Sequence, residues 1–144
     1  MKIDKIKIKN FYSFKDVSLN LSDYRGLTLI KGKNKDTGGS NGSGKSALVE
    51  AIYFGLTGKT IRKSTEDSLV NNQAKKKCFV EIHLIHKDDE VVITRQKKPT
   101  KLELLVGKEN KTGACVADTQ KEIDALLNIN HKVLLASMFF GQSN

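Results

Sequence analysis

The chain has no tryptophan, one proline (Pro99), two cysteines and three arginines among its 144 residues. Each scarcity excludes something. Cys78 and Cys115 stand apart from any CxxC or Cys/His spacing, which excludes a zinc site built from them and fits a reducing compartment. No apolar run approaches the ~20 residues of a membrane helix. Met1–Asn10 alternates charge with isoleucine and has no continuous apolar stretch, so the expectation is a cytoplasmic chain with no membrane contact. Fixed-period repeats and low-complexity linkers are also missing, and the length is that of one ordinary domain. Acidic residues are few beside basic ones, 16 against 25, giving a formal charge of +9. With only Arg25, Arg62 and Arg95 as arginines, that charge is a lysine surface of point charges rather than bidentate forks. It reads either as plain solubility or as a footprint for phosphates.

Glycine is concentrated in one place. Eight of the eleven glycines lie between Gly26 and Gly58, four of them within Gly38–Gly44. Such a cluster marks a loop built around something that approaches the backbone closely. Ahead of it, Ile6 and Ile8 alternate with Lys5, Lys7 and Lys9, then Val17, Leu19 and Leu21 alternate again, the period of half-buried strands. Asn10–Asp16 separates these strands as an aromatic turn, Tyr24–Gly26 makes a second turn, and Leu27–Lys31 has the length of a buried strand. Behind the cluster, Lys45–Leu56 is apolar on most faces, as a helix packed on a sheet should be, and Gly55 and Gly58 end it. Residues 59–77 are polar and basic. Val80, Ile82 and Leu84, then Val91–Thr94, then Leu102–Val106, separated by turns at Lys87–Glu90 and Lys97–Thr100, form an antiparallel meander. Thr119 and Glu122 read as a capping box opening a helix through Leu127, and Asn130 as the cap of another. The expected fold class is therefore α/β: a P-loop core with a mixed sheet and loop helix, carrying an antiparallel β side layer.

Residues 39–46 read GSNGSGKS, a complete G-x-x-x-x-G-K-[ST] pattern between an expected strand and an expected helix. The spacing serves a polyphosphate. A glycine-rich turn entering a helix aims successive N–H groups at the oxygens, and the helix amino end adds its positive dipole. The candidate nucleotide-binding residues are Gly39, Ser40, Asn41, Gly42, Ser43, Gly44, Lys45, Ser46 and Ala47. Lys45 is assigned to the β- and γ-phosphates of ATP and the Ser46 hydroxyl to Mg²⁺. Hydrolysis further needs a carboxylate at the end of a buried strand. No four apolar residues are followed by Asp-Asp or Asp-Glu, and Asp88–Glu90 falls in an expected hairpin turn. The sequence therefore offers the binding half of a site. The apolar run Val133–Phe140 lies almost at Asn144, which reads as a boundary within a longer chain.

MKIDKIKIKNFYSF, LIKG, NGSGKSALVEAIYFGLTGK and the closing FFGQ together resemble the amino-terminal lobe of SMC-like repair ATPases of the SbcC type, including phage recombination nuclease subunits. The resemblance covers nearly the whole chain. It implies that residues 1–144 are one lobe of a split ABC-type head, with a coiled coil and a second lobe elsewhere. That carboxyl-terminal lobe would supply the signature motif and the missing carboxylates. It implies an ATPase active as a full-length homodimer, a lobe that alone binds ATP without turning it over, and an SbcD-type nuclease partner. Gln142 would then be the glutamine that senses Mg²⁺ and the γ-phosphate. Three features depart from the pattern: Tyr12 in place of a basic residue, Ala47 in place of a hydroxyl, and an insertion at Lys33–Gly38. Lys33 and Lys35 in that insertion are either nucleotide contacts or a solvated loop. Lys59, Arg62, Lys63, Lys75, Lys76 and Lys77 are candidate contacts to DNA, sequence-independent because no aromatics interleave them. The alternatives are a structural SMC-type clamp without a nuclease, an ABC transporter ATPase, or another P-loop phosphotransferase. Among phosphotransferases, a nucleoside kinase is disfavoured by the three scattered arginines.

Overall fold

A computed structural model describes residues 1–33, 35–36, 38–39, 43–62, 66–71, 73 and 77–138, with backbone alone at 66, 67, 137 and 138. Strand β1 (Lys2–Phe11) and β2 (Phe14–Asn20) precede helix α1 (Lys45–Thr57) and a 3-10 turn at Glu66–Leu69. The meander β3 (Cys78–His86), β4 (Asp89–Lys97), β5 (Lys101–Val106) and β6 (Glu109–Asn110) follows, then helices α2 (Val116–Leu127) and α3 (His131–Met138). The strands form one sheet in the order β2-β1-β3-β4-β5-β6, and every pairing among the described residues is antiparallel.

Alternation decides which face is covered. Ile6 and Ile8 of β1 sit opposite Ile82 and Val80 of β3, which sit opposite Ile93 and Arg95 of β4. All except Arg95 are apolar, and all are at most 5% exposed. The lysines between them, Lys5, Lys7 and Lys9, fall on the other face by the same two-residue period. Helix α1 lies on the apolar face. A Cβ at Gly55 would stand 2.5 Å from Ile82 Cδ1, so a residue without a side chain is what lets helix and strand approach this closely. Helix α2 buries Thr119, Ile123 and Leu127, spaced i, i+4, i+8 along one face, and packs against β5.

The fold class is as expected, an α/β P-loop lobe with a loop helix and an antiparallel layer. The sheet, expected to be mixed, is antiparallel throughout the described residues, because Leu27–Lys31 does not join it. Four further details differ. The first hairpin and the meander are continuous, because β1 pairs with β2 on one edge and β3 on the other. Two of the expected turns are shorter, Tyr12–Ser13 and Lys87–Asp88, and the second has positive φ at both residues (48° and 69°), the hairpin geometry that matches strand twist. Leu27–Lys31 is not a strand: it lies outside the sheet, with Leu27 103%, Leu29 76% and Ile30 51% exposed. Its apolar composition suits a buried strand, but no described strand pairs with it. Finally, α2 starts three residues before the expected box. Cys115 is the extended residue at its start (φ −142°, ψ 172°), and Thr119 lies inside the first turn. The Thr119 hydroxyl donates to Cys115 O and accepts from Gly113 N–H, both at 3.0 Å. Asn130 caps α3 as expected, accepting from Lys132 N–H at 3.0 Å.

Candidate phosphate-binding site

The loop enters α1 through Gly44, whose φ of 88° and ψ of 3° place it in the left-handed region. Glycine is required there twice over. A side chain would be strained by the backbone, and a Cβ would press to 3.0 Å on the Phe14 ring. Gly32 meets a harder constraint. Its Cβ would fall 1.9 Å from Ser43 Oγ and 3.2 Å from Lys45 Cγ. The chain leaving Leu29–Lys31 thus passes directly against the end of the loop, and the LIKG glycine makes that passage possible.

Lys45 is half-buried and its ammonium donates to Ser43 Oγ at 3.1 Å, so the cation is folded over the loop. Gly44 O accepts from Leu48 N–H at 3.0 Å, which closes the first helical turn. That turn has no side-chain cap and no acidic residue. Most helices satisfy their leading N–H groups with a Ser, Thr, Asp or Asn oxygen. Here glycine supplies none, and Ser46 is exposed beside the opening. A helix amino end with a positive dipole, a folded-over ammonium and an exposed hydroxyl matches an oxyanion ligated to a hard cation.

Phe14, which faces Gly44, follows the β1–β2 turn, and that turn is tied to another segment. Tyr12 N–H donates to Leu69 O (2.8 Å), Asn71 N–H to Asn10 O (2.9 Å) and Asn71 Nδ2 to Tyr12 O (2.7 Å). These bonds fasten the turn to residues 69–71 and frame a cavity of about 460 Å³, lined by Tyr12, Ser13, Lys15, Ser68, Asn71 and Gln73 among others. Tyr12 stands edge-on to Phe11, ring centres 4.9 Å apart. An aromatic ring, not a cation, therefore occupies the departing position.

A protein-family model described as an AAA domain (AAA_23) matches residues 5–144. The chain belongs to this family. Exonuclease subunit 2 of Enterobacteria phage T4 is 32% identical over 132 residues, taking in 90% of this chain and 22% of that protein. The DNA double-strand break repair Rad50 ATPase of Sulfolobus acidocaldarius is 27% identical over 148 residues, covering 100% of this chain and 16% of that protein. A solved SMC head domain from Thermotoga maritima superposes with a TM-score of 0.53 at 22% identity, covering 87% of this chain and 41% of that one, and shows a shared fold. The chain spans less than a quarter of the length of these curated relatives. The similarity to the amino-terminal lobe of SMC-like repair ATPases stands on the family model and the two relatives, and the solved head shares the fold.

Within this AAA-family lobe the structure places Gly39, Ser43, Gly44, Lys45, Ser46 and Ala47; Ser40, Asn41, Gly42 and Gln142 lie outside the described residues. Of the lysines and arginine considered for DNA, Lys63, Lys75 and Lys76 also lie outside them. Lys59 reaches His131 Nε2 with its ammonium at 3.0 Å. Arg62 is exposed, and Lys77 N–H donates to Lys98 O at 3.1 Å, at the corner where β3 begins. Lys59 also lines a second cavity, about 490 Å³, with Arg95, Lys97 and Lys101 at the carboxyl end of α1. The last three escaped sequence reasoning because the meander, not chain proximity, brings them there.

Glu50 escaped it too. It is 2% exposed, and its Oε1 accepts from Ile61 N–H at 2.6 Å and Arg62 N–H at 3.5 Å, which holds the segment leaving α1. Asp88, Asp89 and Glu90 are exposed at the β3–β4 turn.

Proposed function

We propose that the chain is the ATP-binding lobe of an SMC-like ATPase that controls DNA-end processing by a partner nuclease. The observation that carries the reading is the junction of Gly32, Ser43, Gly44 and Lys45, where two absent side chains let the loop end pack closely on Gly32 and Phe14 and a folded-over ammonium brings charge for a polyphosphate to the amino end of α1. ATP with Mg²⁺ fits it. Lys45 would balance the β- and γ-oxygens, Ser46 would ligate the cation, and α1 would present its leading amides. Gln142 remains our candidate for the second protein contact to Mg²⁺. When bound, Mg²⁺ would neutralise charge on the terminal phosphates, and this lobe's own work is to hold and orient them.

The exposed run Leu27–Ile30 supports the split-head reading. Three large apolar side chains lead into the loop with no described strand paired to them, and a second lobe carrying strands would cover them and extend the sheet. Hydrolysis then belongs to the two-lobed, dimeric protein, in a soluble compartment. The relatives, an exonuclease subunit and a break-repair ATPase, favour a nuclease-linked role over a structural clamp. Lys59, Arg62, Lys63 and Lys75–Lys77 remain proposed DNA contacts through backbone phosphates, with Lys59 the weakest because His131 already engages it.

Titrating a fluorescent ATP analogue with Mg²⁺ into the chain tests this. Lys45→Ala should weaken binding about 10–100-fold, the value of a hydrogen bond to a charged group. The chain alone should not turn ATP over. Steady-state hydrolysis by these residues, abolished in Lys45→Ala, would refute the split site. Unchanged affinity in Lys45→Ala would refute the site itself.

A further inference from the structure

Helix α1 ends in an unusual way. The last carbonyls of a helix have no partners within it and are usually left to water or to a following turn. Here Gly58 N–H takes Phe54 O at 2.8 Å, and two other elements take the next two carbonyls. Arg95 Nε, from β4, donates to Gly55 O at 3.2 Å, and Gln120 Nε2, from α2, donates to Leu56 O at 3.1 Å. The two side chains also bond each other, Arg95 Nη2 to Gln120 Oε1, and Gln120 Nε2 donates to Asp124 Oδ1 at 2.8 Å. The guanidinium lies over the Phe54 ring at 5.8 Å and against Gly58, where a Cβ would stand 2.8 Å from Nη1.

Arg95 sits at an inward position of β4, after Val91 and Ile93, and is 5% exposed. Burial draws its guanidinium down to about 10, with Asp124 acting in the opposite sense. A buried cation is weak evidence for stability, because an apolar side chain of similar size packs as well or better. What it adds is direction. Apolar contacts between helices slide, whereas a fork bonded to one carbonyl and one amide has a single arrangement. The same corner carries a second tie, Lys59 to His131 at the start of α3, and α2 passes into α3 through Asp124 O, which accepts from Ile129 N–H at 3.0 Å.

We infer that Arg95 is a positioning residue that registers α2 and α3 on the carboxyl end of α1, so that ligand held at the amino end of α1 is felt in those helices. The inference rests on the nucleotide reading above. Helix α1 is 13 residues, a rod of about 20 Å with the phosphate loop at one end and the Arg95–Gln120 pair at the other. A rod fixed at both ends transmits a change of load at one to the other. Helix α3 is the element from which the chain runs on to Gln142, so Arg95 helps to set where that segment departs.

Amide hydrogen exchange on the full chain, with and without the non-hydrolysable analogue AMP-PNP and Mg²⁺, tests the inference, and fluorescence titration of the same nucleotide is run beside it. Without ligand, Arg95→Met should speed exchange in α2 and α3 at least tenfold while β1 and β3 stay within threefold, a split that general destabilisation would not give. With nucleotide, exchange in α2 and α3 of the unaltered protein should slow at least threefold. Arg95→Met and Gln120→Leu should bind nucleotide within threefold of the unaltered protein yet lose that slowing, and Arg95→Lys should restore part of it. Gln120→Leu leaves the arginine in place and serves if Arg95→Met does not fold. Nucleotide binding without slowing in the unaltered protein, or equal slowing in the variants, overturns the inference and leaves the nucleotide reading standing. Absence of nucleotide binding overturns that reading and the coupling with it.

Discussion

Gly58→Ala isolates the contact on which the carboxyl end of α1 depends. Two costs fall on an alanine there. The backbone is left-handed, φ 71° and ψ 6°, a region that costs an L-residue about 1–2 kcal/mol. The new methyl would also stand 2.8 Å from Arg95 Nη1 and 3.2 Å from Cζ. A free arginine would swing aside at little cost. This one is buried and held by Gly55 O and Gln120, so moving it breaks at least one of those bonds, worth about 1–3 kcal/mol at a buried site. Gly107→Ala supplies the control. Its φ is 56°, so it bears a similar backbone cost, but nothing lies within 4 Å of its Cβ. Any gain from a stiffer unfolded chain is common to both and cancels.

The expected result is that Gly58→Ala lowers unfolding free energy by about 2–5 kcal/mol and Gly107→Ala by about 1–2 kcal/mol, read from urea denaturation midpoints with unchanged slopes. In an Arg95→Met background, the cost of Gly58→Ala should fall to that of Gly107→Ala, because the atom it strikes has gone. Such a cycle reports the pairwise interaction alone. Equal losses in the two single variants, or an undiminished loss in the Arg95→Met background, would refute the argument that Gly58 is glycine to make room for a fixed guanidinium.

Thiol reactivity and acid stability give two further outcomes. Cys78 is fully buried, and burial pushes its thiol up to about 12 against a smaller opposing pull from Lys97. Cys115 is exposed. A disulfide exchange reagent near neutral pH should therefore modify one thiol per native chain and the second only after denaturation, and two fast equivalents would contradict the buried placement. Glu81 feels burial pushing its carboxyl up, but hydrogen bonds and charge from Lys7 and His83 outweigh that and hold it below the usual value. A depressed folded value contributes stability above the unfolded carboxylate value, lost as pH falls through the folded one. The advantage of the unaltered protein over Glu81→Gln should thus shrink from about pH 6 to about pH 3, and an advantage that grows on acidification would reverse the assigned sign.

The sequence showed faces more readily than neighbours. Alternation at Ile6 and Ile8, and at Val80, Ile82 and Leu84, correctly identifies buried strand faces, because the pleat sets a two-residue period whatever strand lies alongside. It carries no information on pairing, so the junction of β1 with β3, 70 to 83 positions away, was invisible. Leu27–Lys31 shows the converse limit. Composition marks a segment that wants burial, but it does not say what covers the segment, and none of the described strands pairs with this one. At α2 the T-x-x-E pattern was present but not used as a box. Capping depends on which residue is extended, and that residue is Cys115.

The candidate phosphate site was legible for a physical reason. The function proposed for it rests mainly on backbone, and backbone geometry leaves its trace as glycine, so Gly44 and Gly32 are visible in the sequence while the atoms they make room for are not. The other end of α1 left a fainter trace of a different kind. Val91, Ile93 and Arg95 continue one inward alternation, and a cation in that series must be hydrogen-bonded or pay heavily in lost solvation. That requirement alone implies polar acceptors on whatever packs over β4, though it cannot say which. The structure supplies Gly55 O and Gln120. The carboxyl end of α1 is therefore set both by polar groups with fixed directions and by apolar packing of Gly55 against β3. A helix held in that way keeps its axial position to within a hydrogen bond's tolerance, which is what placing a phosphate loop requires.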